Sequence, residues 1–380
     1  MIAVRPAEPI TVVGAGPSGL AAAITLARAG RAVVVREWHD TVGHRFHDDF
    51  QGLENWSDPR DVLDELRDTG LGTEFDAFPL QEGTVFDPAG AAHHVRGARP
   101  LCYVIRRGQA DGTLDAGLLR VARRAGAEIR FADRVGELEG PGILAGGPRT
   151  ADGIAVGYVF ETDMEDGAWL ALGNRLAPLG YAYLLVYRGR GTLATCLFTG
   201  FKQQSEYLQR TVGFFRERTR LAMRTPRPFG GFMNVRLPRH AVQGGHPVVG
   251  EQAGFQDALA GFGLRYALRS GVLAARSLLE GDSYETLWRR ELRPALNTGV
   301  VNRLILNALG ERGERMAAER LACADTGAVL RRFYRPSLLT RILFPLASRL
   351  YRRPLADPSC DHHDCDCVWC ACRAENMQHA

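Results

Sequence analysis

Three different periods of apolar and polar residues succeed one another along this chain of 380 residues. The first is ITVV at 10–13, a β-branched run apolar but for Thr11 and closed by glycine, which predicts a short buried strand. An Ala- and Leu-rich stretch to about Ala29 predicts a helix, and AVVVRE at 32–37 predicts a second buried strand. Residues 103–135 repeat the plan as strand, arginine, amphipathic helix and strand. From 154 to 239 the period shortens. Residues 154–163 predict a strand, and 181–198 predict a hairpin turning at 188–191. Residues 203–223 return to helical spacing, with Tyr207, Leu208, Val212 and Phe215 on one face. Past residue 282 the chain reads as helical and rich in arginine. Its last apolar helix, 337–353, puts Leu338, Leu339, Ile342, Leu343, Leu346 and Leu350 on one face, with a kink expected at Pro345.

The turn after the first strand carries the most specific chemistry. Gly14, Gly16 and Gly19 form G-x-G-x-x-G between a strand and a helix, and Glu37 ends the next strand. Gly14 allows the tight turn, Gly16 lets a pyrophosphate approach the backbone, and Gly19 lets helix and strand pack closely. The helix N-terminus, with Ser18 in its first turn, faces the phosphates. Glu37 is placed to accept hydrogen bonds from a ribose diol. This constellation predicts a dinucleotide site, without choosing between NAD and FAD.

The next residues bear on that choice. Glu37, Gly43 and Arg45 give E-x(5)-G-x-R, which resembles the extended fingerprint of the FAD fold shared by glutathione reductase and p-hydroxybenzoate hydroxylase. In that fold the arginine lies near the FAD phosphates. Residues 248–281 resemble the GD motif of the hydroxylase and geranylgeranyl reductase superfamily. There the acidic residue, here Glu251 after Gly250, binds the ribityl chain, and the later glycines, here Gly261 and Gly263, approach the flavin ring. Gln256 and Asp257 stand where that family often has Asn-Pro. Gly146 takes the place of the threonine in the strand that returns the chain to the FAD domain. Arg107 matches the arginine before the helix under the flavin. Pro178 and Tyr181 match a prenyl-pocket motif of the reductases, with Tyr183, Leu185 and Val186 replacing its Trp, Phe and Pro.

The resemblance is therefore to FAD-dependent oxidoreductases of the geranylgeranyl reductase type. It implies a glutathione-reductase-type, Rossmann-like α/β FAD domain built from 1–50, 96–153 and 240–282. An interleaved sheet-rich substrate domain takes 51–95 and 154–239, followed by helices over 283–355 and a Cys-rich tail over 356–380. Tyr181, Tyr183 and Leu185 are the expected substrate-pocket residues.

Net charge is only +4, which argues against a nucleic-acid partner. No N-terminal apolar core or membrane-length run is present, so a cytoplasmic enzyme is expected. The basic apolar helix at 337–353 would allow peripheral contact with the inner face of a membrane. Lys202 is the sole lysine, and it falls outside the region where flavin halogenases place their essential lysine. His44, His47, His93 and His94 are acid–base candidates, but nothing in the sequence selects one of them or any other catalytic group.

Five of the eight cysteines crowd the tail: Cys360, Cys365, Cys367, Cys370 and Cys372, with His362 and His363 among them. In a reducing compartment such a cluster points to zinc or an iron–sulfur centre before disulfides. A redox-labile tail without metal is the third reading.

The expected function is flavin-dependent reduction of a carbon–carbon double bond in an isoprenoid or lipid, with NAD(P)H or a ferredoxin as electron donor. An FAD monooxygenase, and a metal- or redox-responsive flavoprotein using the tail, are the alternatives.

Overall fold

The computed structural model describes residues 8–350 and, in the tail, Cys365, Cys367, Val368 and Cys370. Cys360, Cys372, His362, His363, Arg352 and Arg353 lie outside the described residues.

A four-stranded parallel sheet forms around the fingerprint. In it β1 (Ile10–Val13) runs between β2 (Val33–Arg36) and β9 (Gly142–Leu144), and β8 (Glu128–Arg130) flanks β2. Burial alternates along β1: Ile10 and Val12 are buried in the core, and Thr11 and Val13 are half-buried. Helix α1 (Pro17–Arg28) starts on Pro17 and buries Leu20 to Ile24 completely. Against it lie α3 (Leu114–Arg124) and α5 (Leu264–Glu280). The α1–α5 approach depends on Gly271, because a Cβ there would strike the Ser18 carbonyl oxygen.

A seven-stranded sheet forms the second layer. Its order is β14 (Arg224–Met233), β10 (Gly153–Glu161), β13 (Arg190–Leu197), β12 (Tyr181–Tyr187), β11 (Gly167–Ala171), β5 (Glu82–Phe86) and β6 (Ala92–Arg96). All its pairings are antiparallel except β11 with β5. Along β12 the alternation has a structural meaning. Ala182, Leu184 and Val186 are buried in one apolar cluster with Val212 and Phe215 of α4 (Gln204–Thr219), while Tyr181, Tyr183 and Leu185 take the opposite face.

Segment 51–95 is shared between sheets. β3 (Phe50–Glu54) and β4 (Ala77–Leu80) pair with β7 (Cys102–Arg106) in a three-stranded sheet, whereas β5 and β6 extend the large one. Helix α2 (Val62–Asp68) joins β3 to β4, its first turn capped by Asp61.

The C-terminal helices are α6 (Tyr284–Glu291), α7 (Arg293–Ala322), α8 (Thr326–Tyr334) and α9 (Leu338–Leu350). α7 bends at Gly310, whose φ of 55° and ψ of −147° suit only glycine. α9 contains Pro345. Its face is divided: Leu343 and Ala347 pack with Val300 and Val301 of α7, while Leu338, Leu339, Ile342 and Leu346 are exposed. No helix among the described residues is long and apolar enough to cross a membrane.

Candidate active site

One cleft of about 1650 Å³ runs from the fingerprint to the C-terminal helices. That exceeds the ~300–1,000 Å³ of an ordinary small-molecule pocket, leaving room for a dinucleotide and a second ligand.

At one end, Gly14 leaves β1 with φ 106°, and a Cβ there would run into the Ala145 carbonyl oxygen. Gly16 borders the cleft, with nothing within 4 Å of where its Cβ would stand. It is the N-cap of α1 and has no side chain to satisfy the first-turn N–H groups, which remain available to an anion. Glu37 braces this turn: Oε2 accepts the Ala15 N–H at 2.6 Å and Oε1 the His39 N–H at 3.0 Å. Gly19 and Gly250 stand behind the wall rather than in it. A Cβ on Gly19 would meet the Gly14 carbonyl oxygen, and one on Gly250 would meet Ser18 Oγ. Their absence of side chains lets α1 close against the sheet.

Midway, Arg45 Nη1 donates to Glu251 Oε2 at 3.1 Å and Nη2 to the Phe232 carbonyl at 2.9 Å. Gly43, two residues earlier, packs directly on Gly108. The neighbouring Arg107 is buried. Its Nε and Nη2 donate to Asp115 at 2.8 and 2.9 Å, Nη1 donates to Gln51 at 3.2 Å, and Phe46 stacks 3.9 Å away. All three donor nitrogens are thus engaged within the protein, so Arg107 shapes the wall through Gln51 and Phe46.

Beyond the middle, Tyr181, Tyr183 and Leu185 line the cleft together with Cys196, whose thiol burial pushes up to about 12. The Tyr181 hydroxyl donates to the Ala260 carbonyl at 2.6 Å. Facing them, the loop carrying Gly261 and Gly263 is fixed by Asp257, which accepts from the Ala260 N–H and the Tyr334 hydroxyl at 2.8 and 2.9 Å. Burial raises the Asp257 carboxyl to about 6, against the pull of those two donors. Phe262 meets Trp56 edge to face at 4.8 Å.

The far end is apolar. Leu170 of β11 packs with Ala318 and Leu321 of α7, and Leu306, Leu309, Met316 and Leu330 of α7 and α8 line the cleft here. Leu309, Met316 and Phe333 remain partly exposed at this mouth. Within it sits Glu314, 6% exposed, with Oε2 buried and lacking a hydrogen-bond partner. Burial first, then the charge of Glu311, raises its carboxyl to about 7, against Arg303 and the Gly173 N–H. Sequence reasoning passed over Glu314 because it lies in a highly charged stretch. Gly310 and Gly313, two glycines inside a helix, were the available sign of a close approach.

The structure also separates some candidates. His44 borders the cleft, whereas His47, His93 and His94 do not; His93 Nε2 lies 3.2 Å from Asp87 Oδ2. Lys202 lies outside the cleft lining, in a 3₁₀ turn before α4. Of the tail cysteines, the described Cys365, Cys367 and Cys370 are outside it as well.

These features fit FAD. An uncapped helix start and a glycine turn that admits no Cβ suit a pyrophosphate, with an acidic residue one strand away. A long continuation of the cleft then passes Arg45, Glu251 and the Gly261–Gly263 loop. When bound there, Gly14, Gly16 and Ser18 would hold the pyrophosphate, Glu37 the ribose, and Glu251 the ribityl chain.

Comparison with known proteins agrees. Residues 12–53 match the NAD(P)-binding Rossmann-like domain family. The digeranylgeranylglycerophospholipid reductase of Methanosphaerula palustris is 24% identical, over 74% of this chain and 81% of that protein. A geranylgeranyl bacteriochlorophyll reductase-like protein from Thermoplasma acidophilum superposes with a TM-score of 0.69 at 15% identity, covering 90% of this chain and 98% of its own. The p-nitrophenol 4-monooxygenase PnpA of Pseudomonas putida superposes with a TM-score of 0.60 at 15% identity, covering 90% and 98%. In fold and fingerprint, the chain is therefore similar to FAD-dependent oxidoreductases of the geranylgeranyl reductase and aromatic monooxygenase kind.

Proposed function

We propose that the chain reduces a carbon–carbon double bond in an isoprenoid or related lipid. The observation that carries this reading is the continuity of the cleft, from a dinucleotide fingerprint at one end to an apolar, partly exposed mouth at the other. A long hydrocarbon can enter between β11 and α7 with its reacting end beside the Gly261–Gly263 loop. The named activity of the Methanosphaerula relative supports a lipid of this kind. FAD supplies the hydride when bound. Electrons reach it from NAD(P)H or a ferredoxin-type donor.

The chain's own residues then have three tasks. Tyr181, Tyr183 and Leu185 orient the substrate and exclude water. Arg107, tied to Asp115, keeps Gln51 and Phe46 in place. Glu314, whose carboxyl burial raises to about 7, feeds the proton that must reach the second carbon of the double bond, relayed toward the Gly261–Gly263 loop past Arg303, which faces Glu314 and donates to the Leu259 carbonyl at 3.0 Å. The exposed Leu338, Leu339, Ile342 and Leu346 of α9, beside Arg341 and Arg349, rest on an anionic lipid surface from which substrate is drawn.

The test is product analysis after anaerobic incubation of reduced, FAD-loaded protein with polyprenyl lipids. A product with one added pair of hydrogens supports the reading, and unchanged lipid opposes it. The rival reading is a monooxygenase, which the fold shared with the Pseudomonas putida enzyme favours. It requires dioxygen and leaves an oxygen atom in the product.

A further inference from the structure

Cys365, Cys367 and Cys370 converge. Their Sγ atoms all lie within 4.8 Å of one another. The segment that carries them is held on the protein at several points. Cys367 is 1% exposed, in an apolar cluster with Ala151, Ile154, Leu197 and Phe201, and Cys365 and Cys370 pack against the same cluster. The Val368 N–H donates to Gln204 Oε1 at 3.0 Å. The Val368 side chain occupies the space that a Cβ on Gly230 of β14 would fill.

We propose that these three cysteines bind a single thiophilic divalent ion, zinc, in a tetrahedral site. Thiolates about 2.3 Å from one ion at tetrahedral angles stand ~3.8 Å apart, inside the observed spread. A four-iron cube places each thiolate on a different iron and spreads them more widely, so the geometry disfavours an iron–sulfur centre. Each cysteine gives up its thiol proton on binding, and the positive ion balances the negative sulfurs. The fourth position is open to a water or a further donor, and the sequence of the same tail also contains Cys360, His362, His363 and Cys372.

The site's place in the fold gives it a task. Gly230, Gly231 and Phe232 of β14 line the cleft, and Phe232 also packs on the apolar cluster that contains Cys367. The ion therefore staples the tail onto the outside of the strand whose residues wall the flavin cleft. None of the three cysteines borders the cleft, so the site acts on the wall and not on the reacting atoms.

Elemental analysis of the full chain, purified without chelators from zinc-supplemented cells, tests this directly. One zinc per chain is expected in the wild type and less than a tenth of that in Cys367→Ser and in Cys370→Ser, with FAD per chain unchanged. Cobalt exchange into the wild type needs no variant, and should give the intense visible bands of a tetrahedral thiolate site. The proposal is overturned by a wild-type chain without bound zinc and without those bands. Iron with acid-labile sulfide in place of zinc overturns it equally, as does full zinc content in both serine variants.

Discussion

Arg45 and Glu251 stand 206 residues apart in sequence and meet in the middle of the cleft, guanidinium to carboxylate at 3.1 Å. The pair joins the first FAD motif to the last, and both side chains are partly open to solvent. Each is also an expected cofactor ligand, so their contributions to FAD affinity are coupled. A charge-assisted hydrogen bond is worth about 1.5–3 kcal/mol, or roughly 10–100-fold in a dissociation constant. Arg45→Ala and Glu251→Ala should each weaken FAD by an amount in that range. The double variant should lose less than the product of the two. Titration of apoprotein by flavin fluorescence measures all three, and full additivity would show that the pair does not act as a unit.

Gly14 and Gly16 should fail in different ways. Gly14→Ala places a Cβ against the Ala145 carbonyl at φ 106°, so both the fold around β1 and FAD loading should suffer. Gly16→Ala meets no atom, so the melting temperature of the apoprotein should hold while FAD affinity falls at least tenfold. Thermal melts with and without FAD separate the two effects. A Gly16→Ala protein that binds FAD normally would remove the pyrophosphate from this turn.

Glu314 gives a pH signature of definite sign. Its carboxyl titrates near 7 when folded, against an ordinary value of 4.5. The folded protein therefore holds a proton that the unfolded chain releases between those values, and stability declines as pH rises from about 4.5 to about 7. Glu314→Gln removes this dependence: its melting temperature should match wild type below pH 4.5 and exceed it above pH 7. As proton donor, Glu314 also predicts a rate that falls as pH rises through about 7. The glutamine variant should lose that limb and at least tenfold in turnover. A stability change without the kinetic one would leave Glu314 a buried carboxyl with no part in proton delivery.

Contact with lipid rests on α9. Leu339→Glu with Ile342→Glu places two charges on its exposed apolar face, leaving the packed Leu343 and Ala347 untouched. Removing two apolar side chains from a bilayer costs about 1.5–3 kcal/mol each, so co-sedimentation with phosphatidylglycerol vesicles should drop more than tenfold. Equal sedimentation of the two folded proteins would mean that this face does not meet a membrane.

Local motifs carried most of the nucleotide end. Gly14, Gly16, Gly19 and Glu37 act through neighbours fixed by the strand–turn–helix itself, so spacing alone placed them. Tyr181, Tyr183 and Leu185 were expected from the resemblance to the reductases' prenyl-pocket motif, and they share a face because residues two apart on a strand do. The Arg45–Glu251 pair was not legible, because nothing local encodes a contact across 206 residues. Arg107 was expected as a cofactor ligand from the family resemblance, whereas its nitrogens bind Asp115 and Gln51, a pairing that depends on how β7 and α3 turn toward each other. Glu314 escaped notice because its burial comes from the bend at Gly310 and the facing sheet. The apolar face of the last helix was read as one surface, whereas packing on α7 divides it.

The central claim is that this chain passes reducing equivalents from FAD to a hydrocarbon double bond. Its most direct test is stopped-flow reoxidation of the photoreduced, FAD-loaded protein, mixed with a polyprenyl lipid in the absence of dioxygen. Recovery of the oxidised flavin spectrum, at a rate that rises with lipid concentration and saturates, is the predicted result. A flavin that stays reduced with every such lipid, and reoxidises only on admission of dioxygen with oxygenated product, would contradict it.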